Sequence, residues 1–204
     1  EYTRAAPAMV QIHGQDSGRM GPGQRRKLGV NFVPEERLGR GAVPAMGLAH
    51  NLMLTRTDAI GRSGWIKVGA LQRQAESIIQ RFNVKTGGPH APARSLSGGN
   101  MQKLILGRAL MPPKDAAGNT APAPQLIVAH QPTWGLDIGA VMFVQQQLIN
   151  ARDAGAAVLL ISDDLDEVLA LGDRVAVMHD GHLSETRPAG SWTREAIGLA
   201  MAGV

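Results

Sequence analysis

The sequence predicts an α/β fold: a parallel core carrying an inserted, mainly helical subdomain and a terminal hairpin. Three observations predict it. Two short apolar runs, "LIVA" from Leu126 and "AVLLIS" from Ala157, flank a stretch in which Val141, Val144, Leu148 and Ala151 recur on one helical face. Strand, helix, strand in that order needs a crossover, and a crossover pairs strands in parallel. Residues 70–84 place Leu71, Ala75, Ile78, Ile79 and Phe82 three and four apart, which is one face of an amphipathic helix. Finally, "RVAVMHDGHLSE" alternates about Asp180-Gly181, the strongest short-range hairpin signal.

The remaining elements follow in chain order. "GVNFV", with Val30 and Phe32 between Gly29 and Pro34, reads as a buried strand entering a loop. After "ARSLSGGN" a helix is expected over Met101 to Met111, and "PPKDAAGNTAPAPQ" ends it with an exposed, proline-rich linker. "DLDEVLAL" gives a helix with Leu165, Val168 and Leu169 inward, and Asp164 with Glu167 has capping-box spacing. "TREAIGLAMAGV" closes the chain as a short helix, and there is no internal repeat.

Composition narrows the function classes. With 44% apolar and 19% charged residues in 204, the chain is globular rather than disordered or collagen-like. It has no cysteine, so neither disulfides nor thiolate metal sites exist, which suits a reducing compartment. No apolar run has bilayer-spanning length, and "EYTRAAPAMV" lacks the charged-then-apolar layout of a signal peptide. The +4 charge is dispersed, with Arg25 to Lys27 its densest run, and one Tyr and three Phe leave little for base stacking; no nucleic-acid partner is expected. His179 and His182 have no third ligand nearby in sequence and read as hairpin tip, so no metal site is expected there. Met46, Met53, Met101 and Met142 read as core filling.

Chemistry concentrates in "LSGGN", Leu96 to Asn100. A serine hydroxyl followed by two residues without side chains, at the start of a helix, lets backbone N–H groups approach an anion. An ordinary loop and helix cap is an equally good reading of those five residues alone. The order "VPEERLGRG", "LSGGNMQKLILGRAL", "AHQPTWGLD", "LLISDDLDEVLALGDRVAVMHDGHL" is more specific. Together these segments resemble the ATP-binding cassette (ABC) transporter ATPases over nearly the whole chain. The finer likeness is to the second cassette of the tandem ATPases that energise simple-sugar and nucleoside importers, and the Gln131 position leans toward the nucleoside branch.

That resemblance implies a P-loop NTPase (RecA-like) core, with residues 1–42 as its N-terminal part, 43–109 as the helical signature subdomain and 110–204 as the second half of the core. It also implies the site. Ser97, Gly98, Gly99 and Asn100 stand at the signature, Asp137 in the D-loop, Glu35 at the Q-loop position and Asp163 at the switch position. The glycine loop GxxxxGK[ST] that wraps the phosphates is absent from the sequence, so the chain is expected to begin after it. A core without that strand and helix has one face partly uncovered and is expected to self-associate or to rearrange its N-terminal segment.

His130 stands where the family has a magnesium-organising Asp, and Gln131 where it has the catalytic Glu. An imidazole is a poor ligand for hard Mg²⁺, and a neutral amide cannot take a proton from water. None of the catalytic positions is therefore intact. Asp163 reads equally as an acid favoured by a helix dipole, and Glu35 equally as a surface acid paired with Arg37 or Arg40.

The expected function is the ATP-binding part of an importer, degenerate in its own acids and lending its signature to ATP held by a partner cassette. ATP and Mg²⁺ are expected in the assembled transporter, and neither is expected on this chain alone, which is expected to be inactive by itself. The partners are another cassette and membrane permease subunits, and the location is cytoplasmic, on the inner side of the membrane. The alternatives are a non-catalytic regulatory or structural cassette domain, or a cassette ATPase acting on DNA or ribosomes; the latter calls for coiled-coil heptads or a basic linker, and the sequence has neither.

Overall fold

The computed structural model describes residues 5–56, 61–62, 65–112 and 120–203. The chain divides into two compact units, residues 1–159 and 160–204. Seven of the predicted linker's residues, 113–119, lie outside the described set.

In the first unit the sheet is built on β1 (Val30–Val33) and β2 (Leu126–His130), which pair in parallel with Val30 opposite Leu126 and Val33 opposite Ala129. The third strand, β3 (Ala157–Ile161), which runs across the boundary at residue 159, lies on the other side of β2, giving the order β1-β2-β3. The Ala157 N–H donates to the Gln125 carbonyl at 2.8 Å. A short helix, α1 (Pro22–Lys27), precedes β1, and α2 (Leu48–Met53), α3 (Val68–Arg81) and α4 (Gly98–Leu110) follow it. The crossover from β2 to β3 runs through α5 (Ile138–Asp153).

The order of the strands corrects two expectations. β1 and β3 are the outer strands, so apolar residues on them are not enclosed on all sides. Phe32 is 54% exposed although Val33 beside it is fully buried. Leu159 and Ile161 are likewise exposed, against the buried strand predicted for "AVLLIS". Ile127 and Ala129, on the central strand, are fully buried.

The core lies around α4. Leu104, Ile105 and Leu106 are consecutive and all buried, which a helix shows only when neighbours cover several of its faces. α4 packs against α3, α5 and β1. From α3 come Leu71, Ala75 and Ile78, with Phe82 just beyond its end, all enclosed as the helical spacing requires, whereas Ile79 is half-buried. The close approach of α3 and α4 depends on Gly107, where a Cβ would stand 2.6 Å from Cγ2 of Ile78 and 3.0 Å from Cδ2 of Phe82. On α5, Ala140, Val144 and Leu148 form the buried stripe. Met142 is exposed rather than core, because it lies off that stripe, while Met101 is buried and Met46 and Met53 are half-buried.

Two polar devices fix the turns around this core. Buried Asn51 accepts the Val43 N–H at 2.7 Å and donates to the carbonyls of Val43 and Met46. Arg56 donates to the carbonyl of Arg108 and to that of Met111, satisfying carbonyls left over at the end of α4.

The second unit holds α6 (Leu165–Leu171), α7 (Arg194–Ala202) and two short antiparallel pairings. One pairing is the predicted hairpin, with His182 opposite His179 and both Asp180 and Gly181 at positive φ, as its two-residue turn requires. In α6 the predicted inward residues Leu165, Val168 and Leu169 are only half-buried, and Glu167 is enclosed instead at 2% exposure. Asp164 caps α6 by accepting the N–H groups of Asp166 and Glu167, but the Glu167 carboxylate does not return the bond, so only half of the capping box forms.

Candidate functional site

Ser97 precedes α4 with extended backbone and acts as its N-cap. Its hydroxyl oxygen accepts from the Asn100 N–H and, at 2.9 Å, from the Asn100 side-chain amide. The Asn100 side-chain Oδ1 in turn accepts the Lys85 N–H at 2.8 Å, which holds the turn against the end of the α3 segment. Ser97 and Gly98 are exposed, and the first N–H groups of α4 have no partner within the helix. The helix adds about half a positive charge at that end. Hydroxyl, backbone N–H groups and dipole therefore converge on one open turn, a fit for a phosphate oxygen.

The segment after β2 turns twice in quick succession. The Trp134 N–H donates to the Gln131 carbonyl and the Leu136 N–H to the Thr133 carbonyl. Gln131 takes a positive φ of 47°, uncommon for a residue with a side chain, and is buried. Asp137 then caps α5, its Oδ1 accepting the Ala140 N–H at 2.9 Å.

These two caps lie side by side. A Cβ on Gly99 would meet the Cβ of Ala140 at 3.3 Å, a tight contact, and Oδ2 of Asp137 at 3.7 Å, so the starts of α4 and α5 lie against each other with little room for a side chain at Gly99. The predicted signature residues and Asp137 are thus brought to one place. The Asp137 carboxylate occupies the N-terminus of α5, so the donors left open to an anion are those at the start of α4.

Arg37 completes this cluster, and the sequence reading missed it. Its Nε donates to Oε1 of fully buried Gln102 at 3.1 Å, and its Nη2 donates to the Trp134 carbonyl. Its other terminal nitrogen lies 3.5 Å from where a Gly98 Cβ would be. Burial pulls its pKa below the ordinary arginine value. The available signal is its position two residues after Glu35 in "VPEER", which by itself suggests only a partner for that acid.

At the end of β2, His130 faces Glu35 across 3.7 Å between Nε2 and Oε2, with both side chains partly exposed. This corrects the expected pairing of Glu35 with Arg37 or Arg40: Arg37 is committed to α4 and the Trp134 turn, and Arg40 pairs with Glu36 at 3.2 Å. Among the described residues no three His, Asp or Glu side chains gather as a metal site. A lone carboxylate beside an imidazole, next to a neutral amide, does not fit Mg²⁺. It also provides no base of the expected kind at position 131.

Within the second unit, Asp163 is exposed and precedes the cap residue; the acid that engages the helix N-terminus is Asp164. His179 and His182 use Nδ1 against the carbonyls of Met201 and Asp180, as hairpin-tip residues do.

No family model matches the chain. It is 33% identical over 203 residues to a nucleoside import ATP-binding protein of Lactococcus lactis, covering 98% of this chain and 38% of that protein. A guanosine import ATP-binding protein of Bacillus subtilis is 34% identical over 196 residues, covering 95% and 36% respectively. A ribose import ATP-binding protein of Rubrobacter xylanophilus is 36% identical over 197 residues, covering 95% and 37%. The chain spans about a third of the length of these curated relatives. Among solved structures, a dimeric bacterial ABC transporter cassette superposes with a TM-score of 0.65 at 19% identity, over 87% of this chain and 72% of that one. A dimeric post-hydrolysis cassette bound to ADP and phosphate gives 0.63 at the same identity and coverage.

Proposed function

As the chain belongs to the ATP-binding cassette family of transport ATPases, we propose that it is the ATP-binding part of an importer for nucleosides or simple sugars, and that it works in trans. Its signature completes a nucleotide site whose phosphate loop belongs to another cassette. The observation that carries this reading is the paired start of α4 and α5, where Ser97, the Gly98 and Gly99 N–H groups and Asp137 adjoin. The strand end nearby offers only His130 and Gln131 in place of acids.

In this account the Ser97 hydroxyl and the first N–H groups of α4 bind the γ-phosphate presented by the partner, with Asn100 holding the turn open. Arg37 keeps the turn in register with the Trp134 loop. Asp137 reaches across and helps place the partner's attacking water. Magnesium belongs to the partner's site, so no step here runs through it. Trp134, Ile138 and Met142 are exposed apolar residues around the start of α5, a surface suited to a second cassette.

Residues 43–109 form the helical subdomain and face the permease subunits, between the core parts 1–42 and 110–204. The assembly sits on the cytoplasmic side of the membrane; among the described residues no helix is long and apolar enough to cross it. Importer relatives for nucleosides, guanosine and ribose support the substrate class.

Calorimetric titration of ATP with Mg²⁺ into the chain alone tests the trans reading. No saturable binding in the micromolar range is expected from a chain carrying Arg26→Gln and Lys27→Gln, which removes the cations beside the basic cavity at the starts of β1 and β2, and micromolar affinity in that variant would show a self-sufficient site.

A further inference from the structure

A cavity of about 620 Å³ opens at the N-terminal ends of β1 and β2, lined by residues from Gly29 and Gln125 at the strand starts, from α1 and from the end of α4. It lies at the other end of α4 from the signature. Thirteen helical residues place the two roughly 20 Å apart. The cavity is within the size range of small-molecule sites.

Its charge is one-sided. Arg26, Lys27, Arg56 and Arg108 all line it, with His13, and among the described residues no Asp or Glu lines it. Among the described residues none of these four cations has a carboxylate at salt-bridge distance. Arg56 and Arg108 are buried, at 6% and 9% exposure, and have structural duties: Arg56 binds carbonyls at the end of α4, and Arg108 donates to the carbonyls of Asn51 and Gly41. Carbonyls satisfy their donors but leave two full charges uncompensated.

Arg26 and Lys27 have no such duty. They belong to the basic run that the dispersed charge of the sequence left unexplained, and α1 delivers them to the rim of this cavity. Arg26 is half-buried and close enough to Arg108 for repulsion to add to burial in lowering the Arg108 pKa to about 10. Arg108 does the same to Arg56. Like charges gathered around a cavity repel unless an anion lies among them.

We propose that this cavity is a second anion site, distinct from the signature turn, that binds a phosphate-bearing small molecule through Arg26 and Lys27 at the rim and Arg56 and Arg108 at the wall. Guanidinium groups suit phosphate oxygens, and Asn31, Thr55 and Gln125 in the lining provide neutral polar groups for the rest of such a ligand.

The test titrates inorganic pyrophosphate into the 204-residue chain by calorimetry in phosphate-free buffer. Saturable binding is expected, weakened about tenfold or more by Arg26→Gln with Lys27→Gln, since each loses a charge-assisted hydrogen bond. Absence of binding, or equal binding by the double variant, would overturn the proposal. Amide shift mapping of the unsubstituted chain gives the same answer without a substitution. Shifts centred on residues 26–31 and 125 support the site, and shifts centred on Ser97 to Asn100 assign the anion to the signature instead. Comparing the affinities of glycerol 3-phosphate and inorganic phosphate, both expected to be weakened by the same double variant, then tells whether the ligand is an ester or the free ion.

Discussion

Replacing Asp137 separates its two roles, because one oxygen has a structural task that can be measured on its own. Oδ1 accepts the Ala140 N–H at 2.9 Å and caps α5, a helix of 16 residues that packs on α4. Asp137→Ala removes the cap, about 1 kcal/mol, and the favourable charge at the helix N-terminus, about 0.3–1 kcal/mol, for a total of about 1–2 kcal/mol. Asp137→Asn keeps an oxygen acceptor and gives up only the charge. In a unit of 159 residues each kcal/mol moves the melting temperature by about 2–4 °C, so Asp137→Ala should lower it by about 2–8 °C and Asp137→Asn by about 1–4 °C. Circular dichroism at 222 nm on the chain reads this difference. ATP turnover by the assembled transporter reads the other role, and Asp137→Asn should impair it although its fold is nearly as stable. Equal thermal losses from the two substitutions would refute the cap argument. Unimpaired turnover in Asp137→Asn would refute a D-loop role for the carboxylate.

Two further outcomes follow from packing. Gly107→Ala forces a methyl against Cγ2 of Ile78 at 2.6 Å and should destabilise the chain by about 1–3 kcal/mol, as overpacking does; urea unfolding measures it, and a neutral or stabilising result would mean that α3 and α4 are not in the contact described. Light scattering on the chain should show self-association, because Leu159 and Ile161 are exposed on the outer strand β3 and Trp134, Ile138 and Met142 around the start of α5; a monodisperse monomer would contradict it.

Sequence periodicity located the helices because each buries a stripe whose spacing repeats. Leu71, Ala75 and Ile78 on α3, and Val144 and Leu148 on α5, are enclosed as their spacing required. The hairpin was equally legible, since Asp180 and Gly181 take the positive φ that its turn needs. Strand burial was not legible: Val30 to Val33 and Ala157 to Ile161 look as apolar as Leu126 to His130, and only the order of the strands exposes Phe32, Leu159 and Ile161. Nor could spacing foresee Glu167, an acid enclosed on a face expected to carry leucines and valine. In the candidate site, motif order identified Ser97 to Asn100 and Asp137 separately. Their adjacency rests on Gly99 meeting Ala140, a contact between residues 41 apart that no local pattern encodes. The partners of Arg37 and Glu35 were hidden for the same reason, because Gln102 and His130 reach them only through the tertiary fold.

The central claim is that this chain completes a partner's nucleotide site through its signature and contributes no working acid of its own. Comparing steady-state ATP hydrolysis by the assembled transporter carrying Ser97→Arg with that carrying Gln131→Ala tests it most directly. Ser97 is exposed at the open turn, and an arginine there displaces the phosphate and its donors, so turnover at the partner's site should fall by about 100-fold or more. Gln131→Ala should leave turnover within about twofold, because an amide contributes no proton transfer. Equal losses from both substitutions, or full activity with Ser97→Arg, would contradict the account.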